Sequence, residues 1–121
     1  MKYLCLAYYN EAAFETLTPS ELEALGQACQ PHDDALRQSG KLGTVASLRH
    51  REAVTVRSRS GRISVTDGPF VESKEQVGSF FLIEARDLEE AIQVASLHPA
   101  ARLGEHLGWG LEIRPVETFV P

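Results

Sequence analysis

The chain has 121 residues, of which 43% are hydrophobic and 24% charged, with a net charge of −5 at neutral pH. That is the length of one domain, with enough apolar content for a core, and the acidic balance argues against general nucleic-acid binding. No run approaches the roughly 18 apolar residues of a membrane span, and the first residues lack the apolar stretch and cleavage site of a secretory signal. Cys5 and Cys29 form no CxxC and fall inside regular-structure patterns, so the expectation is a cytoplasmic protein with reduced, core-facing thiols.

Lys2 to Tyr9 reads as a strand, apolar on both faces and therefore central. Asn10 to Thr16 reads as a loop. A helix follows with a clear start: Thr18 as N-cap, Pro19 at the first helical position, and Glu21 three residues after the cap. Its apolar stripe runs through Leu22, Leu25, Cys29, His32 and Leu36, and Gly40 ends it. Pro31 predicts a kink or break just before His32, because a proline inside a helix removes a donor and clashes with the preceding turn.

Thr44 to Leu48 reads as the next strand. Ala53 to Arg57 and Arg62 to Thr66 read as a hairpin around Ser58-Arg59-Ser60-Gly61. Asp67-Gly68-Pro69 is turn chemistry. Val77 to Ala85 is a long apolar strand. Asp87 then caps a second helix, with Glu90 completing the signal and Leu88, Ala91, Ile92 and Ala95 as the expected buried stripe. His98-Pro99 ends that helix, Ala100 to Leu103 adds a short turn, and Leu111 to Glu117 is the last strand. The whole of residues 1–121 reads as one domain.

Strand, helix, strand, inserted hairpin, strand, helix, strand is the split βαβ order of an α+β, ferredoxin-like fold. Two helices cover one face of its antiparallel sheet. The other face is also apolar, and a homodimer with sheets face to face would cover it.

Few residues offer chemistry. His32 lies on the apolar helix face, and imidazole can move protons in either direction near neutral pH; a core histidine is the alternative. His98 sits at a helix end, where it could act as an acid/base group or serve only as a cap. Asp67 reads as a turn residue that could instead orient a histidine. Ser79 lacks any nucleophile-elbow pattern, which excludes a serine-hydrolase reading. No GxGxxG, P-loop or metal-ligand spacing occurs, so no cofactor and no metal are expected. Arg49, Arg51, Arg57, Arg59 and Arg62 cluster in one segment, read as a solvated hairpin or an anion-attracting patch.

The string Asp67-Gly68-Pro69-Phe70, followed by Val71 to Ala85, resembles the DGPF branch of the YCII-related proteins, and the pattern from Asp87 through His98-Pro99 to Val116 is similar in order and spacing. The resemblance implies a dimeric α/β barrel. It also implies a histidine on the first helix paired with an aspartate that opens an Asp-Pro segment after the second. His32 matches the first position, whereas the aspartate position holds His98. Ser79 matches a serine after the glycine of the long strand.

Two functions of different class follow. One is a cofactor-free small-molecule enzyme with His32 as general acid/base, assisted by Asp67, Ser79 or His98. The other, implied by the resemblance alone, is a regulatory module that binds a ligand or a sigma-factor-related protein partner without turnover. A homodimer is expected in both; nucleic acid and membrane are not expected as partners.

Overall fold

A computed structural model describes residues 1–121. Strand β1 (Lys2–Asn10) leads into a short helix α1 (Glu11–Glu15) and a long helix α2 (Pro19–Gln38). Then come β2 (Leu42–Ser47), β3 (Val54–Arg59), β4 (Arg62–Asp67) and β5 (Glu75–Glu84). Helices α3 (Leu88–Ala95) and α4 (Pro99–Arg102), a 3₁₀ turn (Glu105–Leu107) and β6 (Gly110–Pro115) complete the chain. The antiparallel sheet has the order β2-β5-β1-β6, consistent with a ferredoxin-like fold, and β3-β4 stand apart as their own two-stranded sheet. The four-stranded sheet is open and does not close into a barrel within the chain.

Alternation along the strands builds the core. Tyr3 and Cys5 on β1 face the same way as their partners Ile83 and Phe81 on β5. These four pack with Leu36 of α2 and with Ala91, Val94 and Ala95 of α3. Both long helices therefore cover one face. The opposite face presents Leu4, Leu6, Phe80 and Leu82, which are also paired across β1 and β5.

Three expectations change. Residues expected as a loop after β1 form α1, because the Asn10 side chain accepts from the Ala13 backbone N–H and caps a helical turn. Helix α2 runs unbroken through Pro31. Pro31 and Gln27 are both exposed, so water can satisfy the Gln27 carbonyl that loses its helical donor. On α3 the buried residues are Ala91, Val94 and Ala95, whereas Leu88 and Ile92 are about half exposed.

Local signals elsewhere act as expected. Thr18 and Glu21 form a reciprocal capping box, with bonds of 3.1 and 3.0 Å. The β3-β4 hairpin forms where expected but turns more tightly than the expected Ser58–Gly61: β3 runs on to Arg59, and Ser60 (φ 50°) and Gly61 (φ 76°) are the paired left-handed residues of a type I′ turn.

Candidate active site

The inner face of the sheet changes character toward the end of β1. Beyond Cys5 and Phe81 the inward positions fall to Ala7 and Ser79, which lie opposite each other, with Ser47 of β2 opposite Ser79. Small side chains there leave space that the core residues fill elsewhere. The result is a cavity of about 710 Å³ between the sheet end, α1, α2 and α4. Its apolar wall includes Tyr9, Phe14, Leu17, Leu22, Leu48 and Trp109; its polar groups include Glu15, Cys29, Asp33, His50, Ser79 and His98.

Two glycines seat the aromatic rings. The register between β1 and β5 slips after Ala7, leaving Gly78 as the extra residue of a β-bulge. The Tyr9 ring rests against Gly78, where a Cβ would sit 1.8 Å from the ring. Gly104 has φ +70° and lies under Trp109, where a Cβ would sit 2.2 Å from the indole. A side chain at either position would push an aromatic ring out of its seat.

His98 is the N-cap of α4. Its Nδ1 accepts from the Ala100 backbone N–H at 3.0 Å. A backbone N–H only donates, so the neutral ring carries its proton on Nε2. The ring stacks on Phe81 at 4.8 Å with planes 10° apart, which fixes its orientation. Burial pushes the His98 imidazole below its ordinary range, while the charge of Asp33 acts in the opposite direction. The result is a neutral imidazole with an N–H free for a ligand. The Trp109 indole N–H is buried and has no acceptor, so a second donor at the cavity is unpaired.

Cys29 also lines the cavity, but burial, reinforced by Asp33, raises its pKa. Burial alone pushes Cys5 up to about 11. Both thiols are held protonated at neutral pH, so neither is a thiolate nucleophile.

Of the residues singled out in the sequence, the cavity brings together His98 and Ser79. His32 is partly buried on α2 but does not line it; the next residue, Asp33, does. One residue is about 100° of helix rotation, enough to turn one side chain away and its neighbour in. Asp67 is exposed at the end of β4 and lies outside the cavity. The corner after it is held by Gly68 (φ 110°), whose N–H donates to the Ala53 carbonyl and whose carbonyl accepts from the Thr55 hydroxyl, each at 2.8 Å.

That corner borders a second, larger cleft of about 840 Å³, lined by Glu11, Arg49, Arg51, Glu52 and Glu72 among others. Several of its charges already pair, Arg51 with Glu11 at 3.4 Å and Arg49 with Glu52 at 3.7 Å. Unpaired donors set the smaller cavity apart as the candidate site.

The family model for the YCII-related domain matches residues 1–119. The chain belongs to the YCII-related family. It is also 32% identical over 122 residues to an uncharacterised protein of Rhizobium meliloti (strain 1021), covering 100% of this chain and 96% of that protein. Within this YCII-related domain the cavity is built by α1, α2, α4 and the far end of the sheet. No helix is long and apolar enough to cross a membrane.

Asp33, Tyr9, His50 and Glu15 were not legible as site residues in the sequence, and Trp109 read as a packing residue or a lining of the dimer cleft rather than of this cavity. Asp33 and Trp109 carried weak signals, a carboxylate beside the helix stripe and an indole flanked by Gly108 and Gly110. Tyr9 and His50 are 41 positions apart and only the fold brings them together.

Proposed function

We propose that this YCII-related protein binds a small organic molecule in the 710 Å³ cavity and handles its protons without a cofactor, with His98 as the central side chain. The observation that carries the reading is the His98 Nε2–H, left free by the cap bond at Nδ1. A neutral imidazole at a helix N-terminus donates to a carbonyl or developing oxyanion without giving up its own proton. Asp33 supplies a carboxylate in the same cavity, suited to take a proton from the molecule so held.

The histidine–aspartate pair implied by the wider YCII resemblance is thereby reversed. The carboxylate stands on the first long helix, as Asp33, and the imidazole opens the segment after α3, as His98. Asp67-Gly68-Pro69-Phe70 serves as a corner of the fold and supports placement in the DGPF branch. No Lys or Arg lines the cavity, which favours a neutral ligand over a strongly anionic one.

The test is ligand binding followed by ring ¹⁵N NMR, with acetophenone and cyclohexenone as probes. The His98 and Trp109 ring N–H resonances should shift on binding, and His98→Asn should lose the response while keeping the α4 cap. If neither probe moves any cavity resonance, the reading fails. Probe converted to product marks an enzyme, whereas probe recovered unchanged marks a binding module.

A homodimer is the second part of the proposal. One face of the β3-β4 hairpin carries Val54, Val56, Ile63 and Val65, exposed at 57 to 78%. The outer sheet face, with Leu4, Leu6, Phe80 and Leu82, is a second apolar surface on the same chain. A second copy can cover both by a two-fold arrangement. Light scattering should give a dimer for the wild type and a monomer for Ile63→Glu; a wild-type monomer would refute this part.

A further inference from the structure

In the same cavity, three side chains from three segments form a chain of hydrogen bonds. The Tyr9 hydroxyl lies 3.1 Å from His50 Nδ1, and His50 Nε2 lies 3.0 Å from Glu15 Oε1. All three line the cavity. An ionised carboxylate only accepts, so His50 Nε2 carries a proton and donates it. In the neutral ring Nδ1 is then an acceptor, and the Tyr9 O–H donates to it. The oxygen of Tyr9 is left with its lone pairs for a ligand.

The charges around His50 are short of balance by one proton. Glu15 meets its Nε2, and Glu11 lies 3.9 Å from its Nδ1. Arg51 is the cation already present, 2.9 Å from Glu15 and 3.4 Å from Glu11. Two carboxylates and one guanidinium leave a net charge of minus one, which a proton on His50 would cancel. Arg51 reaches both carboxylates from a left-handed backbone (φ 58°), an uncommon conformation for a non-glycine residue. Burial first, and Glu11 second, raise the pKa of Tyr9, so the phenol itself stays protonated.

We propose that Tyr9, His50 and Glu15 are a proton relay that takes a proton from a ligand hydroxyl of the weakly acidic kind. The ligand O–H bond breaks and its proton goes to the Tyr9 oxygen. The Tyr9 proton passes to His50 Nδ1 as the new N–H bond forms. The ligand is left as an oxyanion, His50 as an imidazolium between Glu15 and Glu11, and Tyr9 again as a neutral phenol. Tyr9 is the catalytic residue because it touches the ligand. Glu15 is a positioning residue that fixes the His50 tautomer. The inference rests on the cavity being a ligand site, and it adds to the reading above a second proton acceptor in the same cavity.

Two measurements test it. In the free protein, ring ¹⁵N NMR of the neutral His50 ring should find the Nε2–H tautomer, and Glu15→Leu, which leaves no acceptor at that position, should abolish that preference. An Nδ1–H tautomer, or unaltered tautomers in Glu15→Leu, would overturn the relay whatever the cavity binds. The second measurement uses 4-nitrophenol, whose visible band reports its ionisation, at a pH below its own pKa. Bound to the wild type it should show the phenolate band, and Tyr9→Phe and His50→Gln should each lose that band while still binding the neutral form. Bound probe that stays neutral in the wild type overturns the relay. A probe that moves no cavity resonance instead counts against the small-molecule reading, with the tautomer measurement alone deciding the relay.

Discussion

The same two strands build a sealed core at one end and an open cavity at the other. At the sealed end Tyr3, Cys5, Phe81 and Ile83 are at most 2% exposed and meet Leu36, Ala91 and Ala95. At the open end the inward positions are Ala7, Ser79 and Ser47, with Gly78 as a bulge. Secondary structure continues through both, and what changes is side-chain volume. Close packing is the default of protein interiors, so a run of small residues opposite one another makes room that neighbouring elements do not collapse into. The polar groups of the layer then gather where water or a ligand can reach them. His98 joins the two ends, stacked on core Phe81 while it also lines the cavity.

The largest effect should come from breaking the sealed end. Phe81→Ala removes a fully buried ring and should cost about 3–5 kcal/mol in denaturant unfolding. It should also free the His98 ring, seen as averaging of its NMR signals. At the open end the sensitive positions are the glycines. Gly78→Ala and Gly104→Ala should each cost about 1–3 kcal/mol through overpacking, because a Cβ meets Tyr9 or Trp109 at 1.8 or 2.2 Å. Gly104 adds its left-handed φ to that cost, so it should be the worse of the two.

His98 separates structure from chemistry more finely. His98→Ala loses the α4 cap and should cost about 1 kcal/mol, whereas His98→Asn keeps an oxygen for the Ala100 N–H and should be nearly neutral. The smallest effect is on pH dependence. The folded pKa of His98 lies below its unfolded value, so the unfolded chain binds the extra proton. The contribution of His98 to stability is complete above about pH 6.5 and is lost as pH falls below it. His98→Asn should flatten that slope when unfolding curves are compared across the window.

Much of the fold was legible because it is written locally. The Thr18–Glu21 box, the Asp87 cap and the turn signal at Ser58–Gly61 each specify a few residues of backbone, although the strands pair through Ser58 and Arg59 and leave only Ser60-Gly61 as the turn. Pro31 misled because its penalty depends on whether water can reach the orphaned carbonyl, and Pro31 and Gln27 both lie off the apolar stripe, on the exposed side of α2. The candidate site was legible only in part. Helical spacing placed His32 on the inner stripe, but a stripe is wide enough for His32 and Asp33 alike, and only packing decides between neighbours. The Tyr9–His50–Glu15 chain joins β1, the loop before β3 and α1. No local pattern encodes such a meeting.

The most direct test of the account is the tautomer and protonation state of His98, read by ring ¹⁵N NMR of the ligand-free protein across the acid side of neutrality. The account predicts a single Nε2–H tautomer at neutral pH that gains its second proton only below the ordinary histidine range. An Nδ1–H tautomer, or averaged tautomers titrating near the reference of about 6.5, would mean that His98 neither caps α4 nor presents a fixed donor to the cavity. The proposed site would then lose its central residue.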